Sequence, residues 1–107
     1  MKIYKLKDFT RGWIVGDFEP SVIRTKNSEF MVRRYKKGDK EPKHVHKIAD
    51  EITVVIDGEF KMLDKKILPG DIVHLGPGDM TDFECVSDGV TAVWKSPSVI
   101  GDKFLIN

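Results

Sequence analysis

Residues 38–58 read GDKEPKHVHKIADEITVVIDG, a histidine pair set between a glycine-led turn and a long apolar run that ends at Asp57-Gly58. In an extended strand successive side chains point to opposite faces. His44 and His46 therefore project one way and Val45 the other, which delivers two imidazoles to one point. Lys47 to Asp50 carry the polar and small residues expected of a crossing, after which Glu51 opens the apolar strand EITVVI. If that strand pairs with the histidine strand, Glu51 comes alongside the imidazoles. Two nitrogens and one carboxylate then face inward, a set that suits a divalent first-row metal with open coordination positions. Mn, Fe, Ni and Zn are all compatible on ligand type. The competing reading is a polar strand end bonded to backbone and solvent, and an isolated HxH leaves both open.

Outward from this stretch, glycine, proline and aspartate cut the chain into short apolar pieces. The spacing predicts strands near 12–16, 20–25, 29–36, 42–46, 50–57, 59–63, 66–68, 72–75, 81–86 and 90–95. Turn signals fall at 37–39, 57–58, 63–65, 69–71, 76–78 and 87–89. Helical periodicity is hard to find, so an all-β sandwich or barrel is expected. The tail 96–107, SPSVIGDKFLIN, is expected to be a non-strand segment packed on the domain, because it still carries Val99, Ile100, Phe104, Leu105 and Ile106.

A chain of 107 residues has room for one domain, here taken as 1–107. Its 18 basic side chains are nearly balanced by 17 acidic ones, so charge provides no reason to expect a nucleic-acid partner. The local group Arg33, Arg34, Lys36 and Lys37 reads as a solvated strand end. Cys85 is the only cysteine, which excludes an internal disulfide and fits a reducing compartment. No apolar run approaches the roughly 18 residues of a spanning helix, and the amino terminus has no signal-like apolar core. A cytoplasmic protein without a membrane partner is expected.

The spacing of the opening stretch resembles the first motif of the cupin superfamily, G-x5-H-x-H-x4-E-x6-G. Gly38, His44, His46, Glu51 and Gly58 occupy its defined positions. The second motif, G-x5-P-x-G-x2-H-x3-N, is matched imperfectly by GDIVHLGPGDMTDFEC. Gly70 and Gly78 are in place, Pro77 lies one position late, and the motif's histidine and asparagine fall on Thr81 and Cys85. The resemblance covers about residues 30–95. It implies a small single-domain cupin, a jelly-roll β-barrel with its site in the barrel mouth. His44, His46 and Glu51 would then be the metal ligands, and Thr81 would add a weak oxygen contact or leave room for water or substrate.

By the same resemblance Arg33 and Tyr35 line the barrel near the histidines, Arg33 for an anionic group and Tyr35 for a hydroxyl or sugar face. The alternative makes Arg33 an ion-pair partner and Tyr35 a core aromatic. Alternation places His74 outside the barrel and turns Asp82 away from the site. Cys85 reads as a small buried hydrophobe, and Trp13 and Trp94 as core or contact residues outside the site.

Three functions fit these residues. One is a metal-dependent enzyme, an oxygenase or an isomerase or epimerase, acting on a small polar molecule. A second is a metal-independent ketoisomerase of sugar nucleotides, because HVHK resembles the HxHK stretch of the cupin sugar ketoisomerases. The third is a non-catalytic binding module. Finally, Ile52, Val54 and Ile56 share the outward face of their strand. Either the chain's own amino-terminal strands or tail cover them, or a second subunit does; the common pairing of cupins through outer sheet faces implies a homodimer.

Overall fold

The computed structural model describes residues 1–106. Among the described residues two single 3-10 turns, Leu6–Asp8 and Thr10–Gly12, lead into nine strands: β1 (Trp13–Gly16), β2 (Ile23–Arg24), β3 (Glu29–Tyr35), β4 (Lys40–Val45), β5 (Asp50–Met62), β6 (Lys65–Ile67), β7 (Ile72–Leu75), β8 (Met80–Ser96) and β9 (Phe104–Leu105). The chain is thus all-β, as its strand and turn spacing requires. Among the described residues no helix is long and apolar enough to cross a membrane.

The long strand β8 is the spine of the barrel. Antiparallel β5 follows one of its edges from Asp50↔Ser96 to Lys61↔Glu84. Its other edge carries β3, from Glu29↔Lys95 to Tyr35↔Gly89, and then β4, from Lys40↔Glu84 to Val45↔Met80. Strands β6 and β7 extend β5 outward, β1 and β2 extend β3, and β9 caps the free edge of β4.

Two expected interruptions are absent. The separate strands expected over 50–57 and 59–63 are one strand, β5, and those over 81–86 and 90–95 are one strand, β8. The glycines there serve close approach rather than chain reversal. Asp57-Gly58 lies against Ser87-Asp88-Gly89, and the register shifts at Asp57 and at Glu59. A Cβ on Gly58 would meet Asp88 O at 2.5 Å, and one on Gly89 would collide with Asp57 O. Both strands therefore bend together at a shared bulge, which curves the sheet without breaking it. The strand expected over 20–25 shrinks to Ile23–Arg24, and part of the tail expected to be non-strand forms β9 against His44 and Val45.

Inward residues of β3, β5 and β8 build a compact core at one end of the barrel. Tyr35, Val55, Phe60, Met62, Phe83 and Cys85 are all buried. The rings of Tyr35, Phe60 and Phe83 pack with centroids 5.1 to 5.5 Å apart. A fully buried Phe such as Phe60 contributes about 2–3 kcal/mol by removal of its surface from water. Tyr35, Met62 and Phe83 also line a cavity, so this cluster forms the cavity's floor.

Candidate metal and ligand site

The cavity has a volume of about 470 Å³ and is lined by His44, His46, Glu51 and Thr81 among others. His44 and His46 lie on and just beyond the end of β4, both nearly fully buried, with ring centroids 5.5 Å apart and edge to face. Glu51 begins the inward face of β5, held between Leu75 of β7 and Lys95 of β8. Its Oε2 lies 3.8 Å from His46 Nε2. Thr81 is the direct cross-strand partner of His44 and is buried, with its hydroxyl donating to Asp82 O at 2.7 Å. The position at which the motif has a histidine thus faces the site with a hydroxyl whose hydrogen is already engaged.

Both imidazoles are oriented from behind. His44 Nδ1 lies 2.9 Å from Pro42 O, and His46 Nδ1 contacts Asp102 O. Each carbonyl can only accept, so each Nδ1 carries a proton, and in the neutral ring that leaves the Nε2 lone pair free. This is the tautomer a metal requires, and the second contact is of the kind that fixes ligating histidines. Among the described residues, however, no three His, Cys, Asp or Glu side chains come together as a ready-made metal centre. What is assembled is the His46–Glu51 pair with His44 beside it.

Burial sets the protonation of this pair. Burial lowers the His46 pKa, against the bond to Asp102 that favours the charged ring, so its neutral form is favoured. Burial raises the Glu51 pKa, with Lys95 and His44 pulling the other way. The two shifts bring imidazole and carboxyl closer together, an arrangement suited to metal ligation or to proton transfer.

Asp102, in the tail, was not legible as a site residue. It is buried, and its carboxylate accepts from the backbone N–H groups of Lys47, Ile48 and Ala49 at 2.8 to 3.2 Å. Burial alone would raise its pKa, but these donors and His46 together hold it below the usual carboxylate range. One residue thereby clasps the loop between the histidines and Glu51 and also orients His46.

Other residues sort clearly. Arg33 and Tyr35 line the same cavity; Arg33 Cζ lies 4.7 Å from the Tyr35 ring centroid, and burial raises the Tyr35 phenol's pKa. Trp13, which sequence reasoning placed outside the site, lines the cavity, with Lys95 Nζ 5.6 Å from its ring centroid. Trp94 is on the outer face and 40% exposed. His74 is outside and bonds Asp50 Oδ1 at 2.9 Å. Cys85 is sealed in the core, its thiol donating to Ser87 O, and burial raises its pKa.

No protein-family model and no curated protein sequence matches the chain. Solved structures do. A conserved protein with a double-stranded β-helix domain from Klebsiella pneumoniae superposes with a TM-score of 0.73 at 20% identity, covering 97% of this chain and 90% of its own. A sugar phosphate isomerase from a cupin superfamily, from Silicibacter pomeroyi, gives 0.61 at 20% identity over 65% of this chain and 50% of its own. The DMSP lyase DddQ from Ruegeria pomeroyi gives 0.68 at 20% identity over 92% and 53%.

Proposed function

On the cupin, or double-stranded β-helix, fold that the chain shares with these structures, we propose that the protein is a single-domain cupin that takes a small polar molecule into its cavity beside a divalent metal held by His44, His46 and Glu51. The observation that carries this reading is the paired anchoring of both Nδ1 atoms on backbone carbonyls, which frees both Nε2 lone pairs. A surface histidine pair would need no such orientation. Glu51 Oε2 lies 3.8 Å from His46 Nε2, so the two side chains would hold one ion between them. His44, whose ring centroid lies 5.5 Å from that of His46, would complete the set. The donor set accommodates Mn, Fe, Ni or Zn. A bound ion would act as a Lewis acid toward a carbonyl or hydroxyl of the bound molecule.

Around that ion the chain's own residues would hold the ligand. Arg33 and Tyr35 face it from β3, and Thr81 faces it from β8 beside His44. The buried, free thiol of Cys85 fits a reducing, cytoplasmic setting. A second reading, metal-free proton transfer as in a sugar isomerase, is favoured by the burial that keeps His46 neutral and so able to accept a proton.

Elemental analysis of protein purified without added metal, followed by titration with Mn, Fe, Ni and Zn salts, separates the readings. Wild-type protein is expected to bind one equivalent, and His46→Ala to lose stoichiometric binding. Equal metal content and affinity in the His46→Ala protein would overturn the metal assignment.

A further inference from the structure

Two aromatic rings line the cavity without belonging to its floor. Trp13 and Phe18 are both half-buried and face the cavity, whereas the buried aromatics of the floor are Tyr35, Phe60 and Phe83. Their rings meet edge to face, with centroids 6.4 Å apart and planes at 73°, so Phe18 fixes the tilt of the indole. The short segment that carries them is shaped for this placement. Gly12 packs so tightly on β3 that any Cβ would collide with Val32 O. The pairing of β1 with β3 then shifts register between Trp13 and Val15, and such a bulge re-aims a side chain. A Cβ on Gly16 would collide with the Phe18 ring, so only glycine lets that ring fold back across the end of β1.

The polar group beside the rings is Lys95. It is the cross-strand partner of Glu29 on β3 and of Glu51 on β5, which puts it level with the metal-site carboxylate. Its Nζ lies 5.6 Å from the Trp13 ring centroid, within cation–π range, and its side chain is only 12% exposed. Glu29 Oε1 is 3.9 Å away, beyond hydrogen-bond reach, and the other Glu29 oxygen accepts from Ser98 Oγ. Among the described residues no hydrogen bond engages this ammonium. A largely buried cation with idle donors calls for an acceptor from outside the chain. Little else at this end can bind a polar group. The cavity lining contains no Asn or Gln, and Glu19 and Glu41 are paired with Arg24 and Lys103. A ligand rich in hydroxyl groups needs partners that both donate and accept, whereas this end offers flat apolar surface and one strong donor.

We propose that Trp13 and Lys95 form a subsite for a planar ring bearing a hydroxyl oxygen, a phenol-like molecule, with the ring packed on the indole and the oxygen accepting from Lys95 Nζ. A flat ring matches the indole by offset or edge-to-face contact, which a puckered ring cannot reproduce over the same area. An oxygen conjugated to such a ring carries negative charge readily, and an ammonium is the donor that stabilises it most. Because Lys95 stands opposite Glu51, the oxygen is held at the histidine end of the cavity while the ring lies toward Phe18. The proposal rests on the reading of the cavity as a ligand site and names the ligand class; it does not depend on the metal.

The experiment uses full-length protein freed of metal by chelation. Phenol, catechol, cyclohexanol and methyl glucoside are titrated in while the two indole N–H resonances are followed by NMR, assigned through Trp13→Phe and Trp94→Phe. Phenol or catechol is expected to bind saturably and to move the Trp13 resonance but not that of Trp94, which lies on the outer face. Cyclohexanol and methyl glucoside are expected to bind at least about tenfold more weakly. Trp13→Leu should weaken phenol or catechol at least about tenfold and Lys95→Met severalfold, whereas Trp13→Phe, which keeps a ring, should stay within about threefold of wild type. Trp94→Phe should change nothing. The same spectra establish that each variant is folded, and the wild-type shifts together with Trp13→Phe decide the matter if Trp13→Leu does not fold. The proposal is overturned if neither phenol nor catechol saturates at concentrations on the order of 10 mM, if the Trp94 resonance moves in place of that of Trp13, if folded Trp13→Leu or Lys95→Met binds as wild type does, or if cyclohexanol or methyl glucoside binds as tightly. Methyl glucoside moving the Tyr35 and Thr81 amides while phenol and catechol do not would keep the cavity as a ligand site and overturn the planar-ring class, so the two readings fail separately.

Discussion

Thr91 shows what a single buried polar atom costs. Its hydroxyl is out of water and unpaired, a state worth about 1–3 kcal/mol of lost stability. Thr91→Val keeps the shape and removes the orphan, so it is expected to raise the stability of the protein by about 1 kcal/mol in thermal unfolding. A drop in stability would mean that the hydroxyl has a partner. Glu51 carries a related cost. Burial raises its pKa, so the folded chain binds the proton more readily than the unfolded chain does. Its contribution to stability is present at acid pH and is lost as pH rises through the raised value. Glu51→Gln should therefore unfold at higher temperature than wild type at pH 7 in metal-free protein, and the advantage should vanish on acidification. His46 acts oppositely: its lowered pKa makes the fold lose stability as pH falls from about 6.5 through that lowered value. A flat difference between Glu51→Gln and wild type across this range would remove the burial argument.

Among the elements, the tail and β4 form one working unit. Strand β9 pairs with β4 at His44 and Val45, and Asp102 just before it holds the 47–49 loop. Hydrogen bonds to a charged group are worth about 1.5–3 kcal/mol, and unpaired N–H groups left behind add to the loss. Asp102→Ala keeps the backbone carbonyl behind His46 but frees the 47–49 loop, so it is expected to destabilise the protein by about 2–3 kcal/mol and to lower metal affinity through the loosened loop. Asp102→Asn, which keeps one acceptor oxygen, should recover part of both. Unaltered metal affinity in a folded Asp102→Ala protein would confine Asp102 to a purely structural role. The bend shared by β5 and β8 belongs to the same scale: two strands that would otherwise separate at glycine-rich turns stay paired and wrap the cavity.

For the whole molecule, the outer face of the sheet is the unfinished surface. Cross-strand neighbours Phe30, Trp94, Ile52 and His74 form one outward row, and Val32, Ala92, Val54 and Ile72 the next. Ile72 is 67% exposed and Ile56 56%. The amino-terminal strands extend the β3 edge and the tail extends β4, while Ile52 and Val54 are half-buried. A contiguous apolar face of this kind favours a two-fold pairing of identical surfaces. Sedimentation at micromolar concentration is expected to return a dimer mass, and Val54→Asp, at the centre of the patch, to return a folded monomer. A wild-type monomer would exclude the dimer.

The alternation of HVH, the delayed Glu51 and the glycine frame at 38 and 58 specify strands and their facing by local geometry, so the β-barrel and the inward set of His44, His46 and Glu51 were readable from neighbours within about 20 residues. Even there, the strand breaks expected at Asp57-Gly58 and 87–89 do not occur, because a glycine signals close approach as readily as reversal until its cross-strand neighbour is known. Asp102 on the 47–49 loop, Arg33 opposite Thr91, and Gly12 against Val32 depend on contacts between distant segments. Register in a sheet has a period of two, and each bulge resets it, so such pairings exist only once every strand is in place. The tail docks through Asp102 rather than through the apolar side chains its composition offered, since Ile100 and Leu105 stay 79% and 67% exposed, and only the folded barrel made its docking surface the back of His46.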